Sequence, residues 1–551
     1  MQVALLLGLC IVFYFFALDR SELRKPDEIR YAQVAREIVD GGDWISMHLR
    51  GRPYVEKPPL FFWLIAFSSF LWQGFSSFSV RFPAALFGTL TVLLTFFVGK
   101  TLYSTRTGFL SGLILATSYL FAYLSTRADI DTTLTFFTTA SLLCFSQWYR
   151  GSQDEAKNVR KAEAEVEVKV EEKAKMRNLL IYGFYIGMAL ATLAKGPVGF
   201  ILPLSVSLIY LVVQKDWGGM RRMRLLSGMV LFLAIVLLWY IPAVFKGGED
   251  YLHMTLFKQT IGRYSEGWAK PRPIYYFLYN FPVDFLPWIL FLPAAIVYGY
   301  SRERIEKRKE FLFLFMWFVS VFVFFSLSKG KRPIYLLPLY PAASLMVGNL
   351  WNDFISAPMD HFRQEWISFP LYGFMGLTLL GGAVTPWVLS TKFPSYLLYG
   401  LPIAFLLVGG SLVMFVLTRF KNYGAILFLL IGMVAGGYFY TSSVIFPLVN
   451  QFKSARFTSQ EITARIQPGE KLAVYGRIGA SPYNFYTGIV PIMELNKTAD
   501  LLSFLRSSER VFCLIDFREF SNFLKIEGRP SVQLISQRWV GNQEVSLVSN
   551  R

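Results

Sequence analysis

Fourteen apolar runs of about 17 to 24 residues recur along the first four-fifths of this chain, and a soluble core has no use for so many. They cover 1–18, 59–75, 80–100, 107–127, 131–149, 178–195, 197–214, 224–246, 281–300, 311–328, 334–352, 367–390, 398–417 and 423–446. As helices, most are long enough to cross a hydrocarbon layer about 30 Å thick. Only helices and closed barrels satisfy every backbone polar group in lipid, so the runs predict an all-α polytopic membrane protein. The first run has neither a basic start nor a small-residue cleavage site, so it reads as a retained span.

The formal net charge of +18 would suit nucleic acid if it lay on one face of a soluble domain. Here the basic residues fall in short connectors between apolar runs, which points to membrane orientation instead. Three cysteines, Cys10, Cys144 and Cys513, give neither a disulfide framework nor a CxxC metal site. Three histidines, His48, His253 and His361, leave little material for a zinc centre or a Ser-His-Asp triad.

The basic connectors are Lys100 to Arg106, residues 150–177, Lys215 to Arg224, Ser301 to Lys309 and Arg419 to Lys421. Short cytoplasmic loops are rich in Lys and Arg, so these should face the cytoplasm. Parity then puts residues 19–58 outside and forbids a full crossing by 59–75, which should lie in the interface. About thirteen spans remain, with an inner amino terminus and an outer carboxyl terminus. The cluster Lys329-Gly330-Lys331-Arg332 falls outside, against the orientation rule, so something other than orientation must keep it there.

The domains expected are a membrane domain over 1–446, with an outer loop at 19–79 and a solvated connector at 150–177, and an outer domain over 447–551. In the latter, KLAVYG, VFCLID, SVQLISQRWV and EVSLVS read as strands, and SARFTSQEITARI and TADLLSFLRS as helices, which makes a small α/β domain. No internal repeat suggests two related transporter halves.

The outer loops carry most of the unusual polar residues. Asp27 and Glu28 open a helix with Arg30 and Tyr31, where a carboxylate is stabilised by the helix amino terminus. Glu56 and Lys57 precede two prolines that stiffen the chain, although Lys57 could equally snorkel to a head group. Asp129 and Asp131 emerge between two spans; pairing with Arg127 would explain one of them and leave the other. Lys195, Lys258, Arg263, Lys270, Arg272, Lys331, Arg332 and Tyr335 lie in later outer loops. Cations, tyrosines and carboxylates on one membrane face suit a phosphate and a hydroxylated ligand.

The order Asp27-Glu28 with Arg30-Tyr31, Glu56-Lys57-Pro58-Pro59-Leu60, Arg81-Phe82-Pro83, Arg127 to Asp131, and Lys331 to Tyr335 with LLPLYPA resembles the GT-C-type glycosyltransferases. It is most similar to the lipid A aminoarabinose transferase and bacterial protein O-mannosyltransferase-like group. The resemblance implies the GT-C fold, a polyprenyl-phosphate sugar donor such as undecaprenyl phosphate, inversion at the transferred carbon, and a monomer in the bacterial inner membrane. It implies a lipid A phosphate as acceptor in the first case and a protein hydroxyl in the second. The chain departs from the pattern in its 150–177 insertion and in offering both Asp129 and Asp131 where one is needed; Asp131 is preferred.

Catalysis by such an enzyme needs positive charge to stabilise the departing lipid phosphate. Lys57, Arg263, Lys331, Arg332 and the Tyr335 hydroxyl are the candidates, with Asp27 as base or acceptor-orienting carboxylate and Glu28 helping to hold Arg30. Carboxylate pairs leave a divalent cation open, without a full ligand set. A transporter or flippase of lipid-linked sugar is the rival from another class; it predicts ionisable groups near the bilayer midplane. A non-catalytic scaffold gives no reason to gather these residues on one face.

Overall fold

A computed structural model describes residues 1–23, 27–158, 167–255, 271–356 and 365–551. Each of the fourteen apolar runs falls in a helix or a bent pair of helices. In chain order the first eleven helices are α1 (Gln2–Tyr14), α2 (Asp27–Gly41), α3 (Leu60–Leu71), α4 (Ser77–Leu102), α5 (Thr105–Ala116), α6 (Tyr119–Ser125), α7 (Ile130–Asn158), α8 (Glu167–Lys195), α9 (Val198–Val213), α10 (Trp217–Arg222) and α11 (Leu225–His253). Among the described residues, eight helices are long and apolar enough to cross a membrane, and ten if each bent pair counts as one span. The protein is a multi-pass membrane protein. The helix α3, at twelve residues, reaches only about 18 Å, short of a full crossing.

The two bent pairs explain each other. Helices α5 and α6 turn by 72° at Thr117 and Ser118, and Tyr276–Asp284 meets Trp288–Gly299 at 112°. A break inside a membrane protein frees backbone groups that need new partners. At these breaks the Tyr119 amide donates to the Leu286 carbonyl at 3.1 Å, and the Trp288 indole N–H donates to the Thr117 hydroxyl at 3.1 Å. Helices α4 and α5 meet closely: a Cβ at Gly99 would stand 2.6 Å from the Gly108 Cα, so only glycine permits this crossing.

The polar helix α7 is buried for another reason. Thr132, Thr135 and Thr139 donate their hydroxyls to the carbonyls of Asp129, Asp131 and Thr135 at 2.7–2.9 Å. Those three hydroxyls are satisfied within or just before the helix, which lowers the cost of burying the face that carries them.

The described chain divides into two compact units. The first comprises Met1–Phe16, Val55–Phe61 and Arg81–Tyr440; the second comprises Ala17–Tyr54, Phe62–Val80 and Thr441–Arg551. In the second unit a five-stranded sheet runs in the order β4 (Met493–Leu495), β3 (Lys471–Tyr475), β5 (Val511–Asp516), β7 (Gln543–Ser549), β6 (Gln533–Val540). The pairs β3–β4 and β3–β5 are parallel, and β7 is antiparallel to both β5 and β6. Alternation along each strand builds two apolar layers: Val474, Phe512, Leu514 and Leu547 on one face, Ala473, Cys513, Ile515 and Val548 on the other.

Residues 17–54 of the second unit are tied by polar contacts to the helices and the strand β4 of its carboxyl-terminal part. Arg36 of α2 donates to the Phe485 carbonyl at 2.6 Å and lies 4.3 Å from the centroid of the Phe485 ring. Glu22 accepts from Arg456 at 2.7 Å, and Arg50 pairs with Glu494. Glu37 accepts from the Arg50 and Gly51 amides, fixing the turn between the short strands β1 (His48–Leu49) and β2 (Arg52–Pro53).

Candidate functional site

A buried charge cluster forms where three helices of the first unit end. Helix α8 stops at Lys195 because Gly196 adopts φ +89° and Pro197 follows, leaving the Lys195 ammonium at a helix carboxyl end that favours a cation. Helix α7 begins one residue before Asp131, and a carboxylate in a first turn is favoured for the opposite reason. Lys195 and Asp131 form an ion pair, their side chains 8% and 3% exposed. The Lys195 Nζ also lies 4.7 Å from the centre of the Tyr335 ring. Tyr335 is held there by the 3-10 turn Pro333–Leu339 and by Phe325, whose ring is 5.4 Å away.

The two aspartates that look alike in sequence have different surroundings. Asp129 sits in the connector before α7 and accepts from the Asp131 amide at 2.8 Å, the geometry of a helix cap. Burial first, and then the adjacent Asp131 carboxylate, push its carboxyl up to about 7. Asp131 instead pairs its side chain with Lys195. Arg127 donates to the Tyr123 hydroxyl and lies 5.0 Å from that ring's centroid.

The cationic loop has a structural anchor. Lys331 is 6% exposed and donates to the carbonyls of Arg272, at 3.1 Å, and Ser328. Burial lowers the affinity of its amine for a proton. The Arg272 amide returns a bond to the Lys329 carbonyl at 3.2 Å, and Pro271 bridges Gly330. Lys331 thus clamps residues 271–272 to 328–331, which gives a local reason for a lysine in this loop. Arg332 is exposed, while Glu56 and Lys57 are half-buried ahead of α3. Arg263, Lys258 and Lys270 lie outside the described residues.

Asp27, Glu28, Arg30 and Tyr31 belong to the second unit. Asp27 pairs with Arg30 one turn along α2, Glu28 is 1% exposed, and Tyr31 packs edge-on against Phe62 with ring centroids 5.6 Å apart. Within the first unit, then, the fold gathers Asp129, Asp131 and Tyr335 around Lys195. Lys195 is the residue that sequence reasoning named among the outer cations and left out of the site. Its signal was a lysine directly before Gly-Pro at the end of an apolar run, where a cation is rarely idle. Among the described residues, no three His, Cys, Asp or Glu side chains come together as a metal site.

The structure is similar over its whole length to ArnT from Cupriavidus metallidurans, solved with undecaprenyl phosphate bound and in the apo state. The TM-score is 0.79 at 20% identity, covering 100% of this chain and 98% of that one. The chain has the GT-C fold. A family model described as dolichyl-phosphate-mannose-protein mannosyltransferase matches residues 56–155 of this GT-C chain. An undecaprenyl phosphate-alpha-4-amino-4-deoxy-L-arabinose arabinosyl transferase 2 of Proteus mirabilis is 32% identical over 349 residues, 62% of this chain and 58% of that protein. The match therefore spans less than two thirds of the Proteus protein. An uncharacterised Aquifex aeolicus protein is 26% identical over 90% of this chain and 89% of its own. The GT-C chain resembles the aminoarabinose transferases, as its sequence motifs imply.

Proposed function

We propose that this chain is an inverting membrane glycosyltransferase that moves a sugar from a polyprenyl-phosphate donor to an envelope acceptor, on the outer face of the bacterial inner membrane. The observation that carries this reading is the buried Lys195–Asp131 pair beside Tyr335, set at one end of a GT-C helical unit. The relatives named as undecaprenyl phosphate-aminoarabinose transferases favour aminoarabinose as the sugar, and the motif resemblance to the lipid A aminoarabinose transferases favours a lipid as the acceptor. The distribution of basic connectors supports the assignment of sides.

A departing lipid phosphate gains a charge that fixed cations stabilise best where water is scarce. Lys195 is paired with Asp131 in such a place, and Lys57, Arg332 and Arg263 are further candidates from the sequence. Asp131 orients the Lys195 ammonium, and the Tyr335 hydroxyl is a further hydrogen-bond donor on the ring beside it. The sequence motifs alone nominate Asp27, with Glu28 and Arg30, as the carboxylate that orients the acceptor or removes its proton. Transfer to lipid A phosphate asks little of a base, because that acceptor is already ionised.

The test is a transfer assay with purified protein in nanodiscs, undecaprenyl-phosphate aminoarabinose as donor, and lipid A or a Ser/Thr-rich envelope protein as acceptor. Mass spectrometry should find the sugar on lipid A, with Asp131→Asn lowering turnover at least about 100-fold. Sugar on the protein would replace the lipid acceptor by the mannosyltransferase-like alternative. Movement of the intact donor across the bilayer without transfer would replace the enzyme by a flippase.

A further inference from the structure

The opposite end of α7 carries a second polar enclosure. A cavity of about 200 Å³ is lined by Tyr149, Arg150 and Gln153 of α7, Tyr210 of α9, and Lys309 and Glu310 of the helix Arg308–Leu327. Arg150 lies nineteen residues beyond Asp131 on one helix, about 28 Å along its axis, close to a full hydrocarbon thickness. The Lys195 cluster and this cavity therefore lie near opposite membrane faces.

Two charged groups here each leave one buried atom unsatisfied. Among the described residues, neither the Arg150 Nη1 nor the Glu310 Oε2 has a hydrogen-bond partner, although both atoms are shut off from solvent. Gln153 is already committed to Asp216, to which it donates at 2.8 Å. Buried polar atoms are almost always paired, so an unpartnered guanidinium nitrogen and an unpartnered carboxylate oxygen lining one cavity call for an occupant that answers both. Arg150 with Lys309 suits a phosphate. Glu310, beside the rings of Tyr149 and Tyr210 whose centroids are 5.3 Å apart, suits an ammonium. Phe145 and Phe313 complete the wall with apolar surface, as expected where acyl chains begin.

We propose that this cavity seats the zwitterionic phosphoamine headgroup of a phospholipid, in the leaflet opposite the Lys195 cluster. Phosphate rests on Arg150 and Lys309, and the amine on Glu310. The site is separate from the sugar-transfer reading and does not depend on it.

The experiment exchanges detergent-purified full-length protein into equal mixtures of phosphatidylethanolamine, phosphatidylglycerol and phosphatidylcholine, then counts retained lipids by native mass spectrometry. The wild type should retain phosphatidylethanolamine about tenfold over phosphatidylglycerol. Arg150→Gln should lose both, Arg150→Lys should keep most, and Glu310→Gln should lose the ethanolamine preference while still holding phosphatidylglycerol. That change of preference cannot come from misfolding. A wild type that retains no lipid would mean a water-filled cavity and overturn the proposal, as would a headgroup preference unchanged in Glu310→Gln. Binding of free O-phosphoethanolamine, with the same variant pattern but no lipid retained, would overturn the lipid assignment.

Discussion

Lys195 closes helix α8 with its ammonium paired to the Asp131 carboxylate in the first turn of α7, and the two side chains are almost wholly out of water. Removing one partner of such a pair strands the other charge in a poor solvent, at roughly 3–5 kcal/mol. Lys195→Met should therefore lower the unfolding free energy in mild detergent by about that amount. Adding Asp131→Asn should recover most of the loss, because no uncompensated charge then remains. Sugar transfer should stay abolished in the double variant. Recovery of transfer along with stability would limit the pair to a structural role.

Replacing Asp27 should distinguish the two acceptor classes. With a hydroxyl acceptor, proton removal matters and Asp27→Asn should cost about 100-fold or more in turnover. With a phosphate acceptor the same change should cost far less. Assaying one purified variant against lipid A and against a protein acceptor separates these outcomes, and near-wild-type turnover on both would remove Asp27 from the proposal.

Asp129 should make stability depend on pH. Its carboxyl is raised from 3.8 to about 7 by burial and by Asp131, so the folded state holds its proton more tightly than the unfolded chain does. The contribution is full below about pH 4 and is lost as pH rises through 7. The wild-type Tm should therefore fall relative to Asp129→Asn between pH 5 and pH 8. Asparagine keeps the oxygen that caps α7 and does not titrate. Parallel Tm curves for the two proteins would refute the assignment.

Arg36 is the polar fastening between α2 and the segment around Phe485. Arg36→Ala removes a hydrogen bond from a cation and its contact with an aromatic face, at about 1–3 kcal/mol together. Hydrogen exchange should quicken in residues 27–41 and 481–487 and stay unchanged in α7 and α8. Uniform acceleration would instead mean general unfolding.

The spans were legible because an apolar run of membrane length has few alternatives to a helix. Strands β3, β5, β6 and β7 were legible from alternation bounded by turn residues, whereas β4, at three residues, is too short to show a period. The bends at Thr117 and Leu286 were only half visible: Thr117-Ser118 and Asp284 with Pro287 mark weak points in the two runs, but the break is stabilised by the partner pair from more than 150 residues away. Sequence could rank Asp131 above Asp129 only by resemblance, since the distinction rests on which one caps α7 and which one reaches Lys195. The clamp made by Lys331 was equally invisible, because its acceptors are carbonyls and carry no side-chain signature.

The tie between Arg36 and Phe485 joins positions 449 residues apart, and this sets a waiting time. At about 5–20 residues per second, synthesis takes roughly 20–90 s to go from one to the other. Throughout that interval α2 has been made while the helix Ser481–Thr487 that anchors it does not yet exist. A newborn chain must therefore carry an unfinished amino-terminal loop through insertion of nearly all its spans, a period in which chaperones and proteases on that side have access to it.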